Sequence, residues 1–181
     1  MGNFMGNFRA WSTLLQPDLV LSGPIFDLTL ELLQHYNLSG ILLDVDETLV
    51  SSSTSQVSPE LKQWIEQLKP HVRFWLVTNN LNPIRIHRIG TELGVPYLLG
   101  AGKPSRRKLR QAAEAMDLPF NQLAMVGDRL FTDVLAGNRL GLFTILVDPI
   151  VLPGQQARSY WVRSLELWLS RRLDTLECLK F

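Results

Sequence analysis

Four aspartates, a threonine and a lysine are spaced along this chain in a pattern that could do chemistry. Asp44 and Asp46 close an apolar run at 41–45, in the segment Asp44-Val45-Asp46-Glu47-Thr48. Thr78-Asn79-Asn80 closes a second run, Lys103-Pro104 follows a third, and Gly127-Asp128 ends a fourth, with Asp133 five residues later. Side chains alternate along a strand, so Asp44 and Asp46 fall on the same side with their carboxylates near one another. Four carboxylates repel one another unless a cation neutralises them, and ligation by oxygen alone, without His or Cys, favours Mg²⁺. Such a cation beside an ammonium and a hydroxyl suits the oxygens of a phosphate. A carboxylate attacking phosphorus passes through an aspartyl-phosphate, with metal and ammonium offsetting the charge that develops in flight.

Taken singly, each residue has an ordinary explanation. Asp128 would cap the next helix, Thr78 would brace a turn, and Lys103 would be a solvated loop charge. Their joint placement argues otherwise, because all of them fall at the carboxyl ends of strands or in loops on that edge, where the crevice of an open α/β sheet lies. The elements that must position them alternate. Apolar runs at 41–45, 74–77, 97–99, 123–126 and 143–147 are separated by helical patterns at 59–68, 83–93, 104–116 and 131–140. Three of these helices open with proline, Ser58 and Asn82 stand as N-caps, and Gly94 and Gly141 stand at C-termini. Strands apolar throughout and separated by helices predict a Rossmann-like, doubly wound parallel α/β sheet of about five strands. A further helix is expected at 25–36 and a long closing helix at 155–179. Residues 1–10, with their doubled Met-Gly-Asn-Phe, are read as lying outside the fold. That leaves 11–181 as one domain with N-terminal and C-terminal flanking helices.

Composition excludes several classes. With 18 basic against 17 acidic residues, the formal net charge is +1, so no polycationic field supports general nucleic-acid binding. The single cysteine, Cys178, can form neither an intrachain disulfide nor a CxxC or zinc site. The longest apolar region, 141–154, is interrupted by Asp148, Pro149 and Pro153, short of the roughly 18 apolar residues a membrane-spanning helix needs. The start lacks the order of a secretory signal, and Gly6 stands where a myristoylation pattern wants Ser or Thr. The expected setting is reducing and cytoplasmic, with peripheral contact at the inner face of a membrane left open. Gly100-Ala101-Gly102-Lys103 lacks Walker spacing, and no Gly-x-Gly-x-x-Gly follows the first strand, which disfavours a dinucleotide. His35, His71 and His87 lie away from the expected crevice and are read as surface or packing residues.

In chain order, Asp44-x-Asp46-x-Thr48, Thr78 at a strand end, Lys103, and Gly127-Asp128 with Asp133 reproduce the four motifs of the haloacid dehalogenase (HAD) superfamily of phosphohydrolases, which this chain resembles over roughly residues 15–172. More narrowly, LLDVDETLV, VTNN, GKP, GDRLFTDVLAGNRLG and TILVDPI look like the YqeG-type branch of subfamily IIIA. That branch is similar to the phosphatidylglycerophosphate phosphatases of mitochondria and plastids. The resemblance implies a HAD-like fold in which Asp44 is the nucleophile and Asp46 the general acid, then the base that activates water. It implies that Thr78, with Asn79 beside it, binds phosphoryl oxygens and that Lys103 neutralises them. It also implies that Asp128, the Asp44 carboxylate and the Asp46 carbonyl hold Mg²⁺, with Asp133 supporting that shell directly or through Lys103 or water. Relatives commonly have Asn where Glu47 stands and Ser where Thr78 stands. The hydroxyl survives the second change, whereas Glu47 adds a negative charge beside an anion site and must point away or find a basic partner.

Only 33 residues lie between Asp44 and Thr78 and 24 between Thr78 and Lys103. A helix and its turns fill each gap, leaving no room for a cap domain, so the crevice is expected to be open and suited to a phosphate on something large or embedded, such as a lipid headgroup. In the closing helix Trp161, Leu165, Trp168, Leu169, Leu173 and Leu176 recur at helical spacing with Arg158, Arg163, Arg171 and Arg172 nearby. Such a helix either packs on the sheet or makes peripheral contact with an anionic bilayer. Arg106-Arg107-Lys108-Arg110 reads as a solvated helix face or as a collector of anionic lipid or polyanion. The leading expectation is a Mg²⁺-dependent phosphomonoester hydrolase acting on phosphatidylglycerophosphate. The alternatives are a phosphatase for a soluble, protein or nucleic-acid phosphate, and a non-catalytic RNA- or ribosome-associated binding module. Retention of both Asp44 and Asp46 argues against the last.

Overall fold

The segment that carries Asp44 and Asp46 leaves the centre of a sheet. In the computed structural model, which describes residues 13–150, strand β2 (Gly40–Leu43) is buried along its whole length and lies between β3 (Arg73–Val77) and β5 (Leu123–Gly127). β4 (Tyr97–Leu98) extends the sheet beyond β3, while β6 (Phe143–Leu146) and β1 (Leu19–Val20) extend it beyond β5, and every pairing is parallel. The order is β1-β6-β5-β2-β3-β4. The sheet reverses direction of growth at β2, which opens a crevice at the carboxyl ends of β2 and β5.

Period-two alternation divides the core. Ile41 and Leu43 pack with α1 (Leu30–His35), α2 (Pro59–Leu68) and α3 (Pro83–Leu93) through Leu33, Leu61, Ile65, Ile86 and Ile89. Leu42 packs on the other face with α4 (Arg107–Ala115) and α5 (Leu135–Leu140) through Leu109, Ala112 and Ala136. Ile41, Leu42 and Leu43 are fully buried, each contributing about 1.5–3 kcal/mol of hydrophobic stabilisation. Both faces are therefore covered, as continuous apolar strands require. Ser58 and Asn82 cap α2 and α3 by accepting from the amides of Leu61 and Arg85, and Gly94 closes α3 in the left-handed conformation.

The expected elements differ from the observed ones in instructive places. The sheet has six strands, because the two-residue β1, too short to show periodicity, adds an edge. It is anchored by an exchange in which Asp18 N donates to Thr144 Oγ1 (3.1 Å) and Thr144 N donates to Asp18 Oδ2 (2.7 Å). The expected helix at 25–36 is split into a 3₁₀ turn (Ile25–Asp27) and α1, because Thr29 is extended and caps the second piece. α4 starts at Arg107, since Pro104, joined to Lys103 by a cis bond, sits in a turn closed by Ser105 N donating to Gly102 O (2.9 Å). The helix expected from residue 131 begins as a π-turn (Leu130–Val134) in which Val134 N reaches back to Arg129 O. Between Asp44 and Lys103 the chain holds only α2, β3, α3, β4 and their loops, with no cap domain. Residues 1–10 and the closing helix at 155–179 lie outside the described residues. No described helix is long and apolar enough to cross a membrane.

Candidate active site

Lys103 organises the floor of the crevice. Its Nζ lies 2.7 Å from Asp44 Oδ1 and 2.7 Å from Asp133 Oδ1, and it donates to Val77 O at 2.7 Å, all of this buried. The main chain that delivers it is clamped by Asn79, whose Oδ1 accepts from Lys103 N (2.7 Å) and whose Nδ2 donates to Lys103 O (3.0 Å). Asn79 therefore positions the lysine loop with both ends of its amide. Asp44 is fixed from the strand side by its own amide donating to Val126 O (2.9 Å).

Asp133 reaches the floor because of local backbone form. The π-turn widens the start of the helix and brings the carboxylate back, where Oδ2 accepts from Arg129 N (3.3 Å). Gly127 makes room for it. A Cβ there would sit 2.4 Å from Asp133 Cγ, so any other residue would push the carboxylate away. Asp128 is buried, accepts from the Thr48 hydroxyl (3.4 Å), and faces the half-exposed Arg129 at 3.8 Å. Thr48 thus ties the loop after β2 to the end of β5.

One carboxylate oxygen from each of Asp44, Asp128 and Asp133 lies within 4.8 Å of the others, and all three residues are buried. Three buried carboxylates against one buried ammonium leave negative charge that a divalent cation would balance, and the donor set is oxygen only. Burial pushes the Asp44 carboxyl up, and Asp133 adds to that rise; Lys103 opposes it, and the result is about 6. Burial would draw Lys103 down, but the charges of Asp133 and Asp44 more than offset it and hold the ammonium above its ordinary value. The lysine is a fixed positive charge.

Asp46 belongs to a different environment. Its Oδ1 accepts from Arg85 Nη1 (2.6 Å) and its Oδ2 from Asn80 Nδ2 (3.0 Å), and its carboxylate is not part of the buried acidic cluster. Arg85 also donates to the carbonyls of Thr54 (2.8 Å) and Ser51 (3.0 Å), holding the loop after β2 against the first turn of α3. Thr78 is fully buried, and its hydroxyl accepts from Asn80 N (3.1 Å), which sets the turn that aims Asn80 at Asp46. Glu47 finds no basic partner among the described residues. It sits at φ 65°, and its Oε1 accepts from Ser52 N (2.9 Å) and the Ser52 hydroxyl (2.6 Å).

All seven residues singled out from the sequence thus lie at the carboxyl-end edge of the sheet, five of them joined through Lys103 or the acidic cluster. Arg85 and Asn80 were not singled out. A signal for Arg85 existed: a cation in the first turn of a helix opposes the macrodipole, so an anionic partner is expected.

A HAD-hydrolase-like family model matches residues 100–149. The chain is 39% identical over 127 residues to the probable phosphatase YqeG of Bacillus subtilis, covering 70% of this chain and 73% of that one. It is 26% identical over 151 residues to phosphatidylglycerophosphate phosphatase 1, chloroplastic/mitochondrial, of Arabidopsis thaliana, covering 78% of this chain and 43% of that longer protein. The chain therefore spans less than half of the plant enzyme. Among solved structures, a HAD-like family hydrolase from Porphyromonas gingivalis superposes with a TM-score of 0.51 at 14% identity over 71% of this chain and 98% of that one, a likeness of fold.

Proposed function

The chain belongs to the YqeG-type phosphatases of the haloacid dehalogenase superfamily, and from that premise we propose that it is a Mg²⁺-dependent phosphatidylglycerophosphate phosphatase working through an aspartyl-phosphate on Asp44. The observation that carries the chemistry is the Lys103 ammonium 2.7 Å from both Asp44 and Asp133, inside a cluster of three buried carboxylates. Asp44, Asp128 and Asp133 would hold the cation with the Asp46 carbonyl, and when bound it supplies positive charge beside the phosphoryl oxygens. The Asp44 carboxylate attacks phosphorus and the bond to the ester oxygen breaks. Asp46 gives that oxygen a proton, and the alcohol leaves. Water then attacks phosphorus as Asp46 takes its proton, the bond to Asp44 Oδ breaks, and inorganic phosphate departs. Lys103 offsets charge on the transferring group, and Thr78, directly after β3, is the residue we assign to bind a phosphoryl oxygen through its hydroxyl.

The substrate assignment draws on two supports. The activity for which the plant relative is named is one. The other is the lidless path between Asp44 and Lys103 in a domain we take to span 11–181, which leaves the crevice open to a phosphate held at a surface. The test is phosphate release from phosphatidylglycerophosphate in mixed micelles against a panel of soluble phosphomonoesters, for wild type and Asp44→Asn, with and without EDTA. Preference for the lipid, lost in Asp44→Asn and in EDTA, is expected. Turnover of soluble esters alone would overturn the substrate, and activity that survives EDTA would overturn the cation.

A further inference from the structure

Two large apolar side chains stand in solvent beside the residues that hold Asp46. Leu81 is 76% exposed and Ile84 is 82% exposed, the two most exposed large hydrophobic residues among those described. Leu81 follows Asn80, which donates to Asp46 Oδ2, and Ile84 precedes Arg85, which donates to Asp46 Oδ1. The apolar pair therefore flanks, in the chain, the two residues that hold Asp46, the group assigned to protonate the leaving alcohol.

Its surroundings are cationic. Arg88, exposed and without an acidic partner among the described residues, lies one turn beyond Ile84 on the same face of α3. Lys108 Nζ, which donates to Leu99 O, lies near Leu81 beside Gly100. An atom at the Cβ position of Gly100 would stand 2.7 Å from Leu81 Cδ2 and 3.6 Å from Lys108 Nζ. No Asp or Glu occurs between residues 80 and 90. The core has no use for either side chain, since α3 buries Ile86, Ile89, Gly90 and Leu93 instead.

We propose that Leu81 and Ile84 insert into an anionic phospholipid bilayer and seat the crevice over its headgroups, with Arg88 and Lys108 meeting anionic lipid at the rim. An apolar tip flanked by cations matches the layered chemistry of a bilayer interface, acyl chains below and anionic headgroups around. A bilayer seated on this tip would present a lipid-borne phosphate ester to the residues beside it, which favours it over a protein partner. The inference deepens the lipid-substrate reading above and rests on it for its purpose, but it concerns a different contact from the closing helix.

The experiment compares wild type with Leu81→Ser/Ile84→Ser, which changes no buried group. Sedimentation with vesicles of phosphatidylcholine mixed with phosphatidylglycerol is expected to fall on the order of tenfold or more in the double variant. Binding of wild type to vesicles of phosphatidylcholine alone is expected to be weaker. Hydrolysis of p-nitrophenyl phosphate is expected to be unchanged, while phosphate release from phosphatidylglycerophosphate in vesicles falls with binding. Equal sedimentation of wild type and variant, or no sedimentation of wild type with the mixed vesicles, would overturn the proposal. The binding measurement uses no substrate, so the two readings fail separately. Vesicle binding through the pair without lipid turnover defeats only the substrate assignment, and lipid turnover with unchanged binding defeats only the docking contact.

Discussion

The two aspartates that follow β2 each sit in an ion pair of nearly the same length, and the pairs behave differently because of where they lie. Asp44 meets Lys103 at 2.7 Å in the buried floor, where the same ammonium also serves Asp133. Asp46 meets Arg85 at 2.6 Å, with 21% of its side chain still exposed and with the loop carbonyls of Ser51 and Thr54 sharing the guanidinium. In the floor, charges are far from water, so each one depends on its partners. At the rim, solvent screens the pair, and its value lies in geometry, since it fixes a loop and one carboxylate together. One pair sets the electrostatics of the site, and the other sets the aim of the group expected to move protons.

Substitutions can break this contrast. The largest effect on turnover is expected for Asp44→Asn, a loss on the order of 10⁴-fold or more in kcat, measured by phosphate release. Its stability in metal-free buffer is expected to stay within about 1 kcal/mol of wild type, because removing one of three crowded carboxylates relieves repulsion as it removes an ion pair. Lys103→Met should invert that pattern's second half. Leaving Asp44 and Asp133 buried without their cation is expected to cost about 3–5 kcal/mol by denaturant unfolding, in addition to abolishing activity.

A pH series sharpens the same point. The Asp44 carboxyl is pushed up to about 6 from an ordinary 3.8, so the folded protein holds its proton more tightly than the unfolded chain does. Its contribution to stability is then present at acid pH and is lost as pH rises through about 6. The gain in Tm on adding Mg²⁺, which needs the charged carboxylate, is expected to be largest above that value and to shrink below it. A gain independent of pH would separate Asp44 from the cation. At the rim, Arg85→Gln is expected to cost about 1 kcal/mol in stability and roughly 10–100-fold in kcat, with partial recovery in Arg85→Lys. The smallest effect is expected for Glu47→Asn, within about 1 kcal/mol by thermal unfolding. Asn tolerates φ 65° better than Glu but gives up the reach to Ser52.

Much of the fold was legible because its signals are local. Strands apolar throughout, prolines opening helices, and Ser58 and Asn82 as caps are each decided within a few residues, and the parallel sheet followed from them. β1 was missed because two residues carry no period and its anchor, Asp18 to Thr144, joins positions far apart in the chain. The split of the helix at 25–36 was missed because Thr29 can continue a helix or cap one, and its neighbours decide which. In the site, the carboxylates, Thr78 and Lys103 were legible from their place at strand ends. The task of Asn79 was not, because its amide bonds to the lysine loop 24 residues on. Arg85 was missed for the same reason, since its partners lie on another loop.

Residue types and their periods settled which chemistry the chain carries: oxygen ligands without His or Cys, one lysine, hydroxyls at strand ends, and a sheet whose edge gathers them. Only the tertiary structure decided how those groups divide into a dry floor and a wet rim. Burial and long-range pairing fix which carboxylate shares an ammonium, which one is tied through Arg85 to the loop after β2, and which apolar side chains are left in solvent. Those quantities depend on distances between segments that the sequence brings together only by folding, and charge–charge energies depend on both distance and exposure to water.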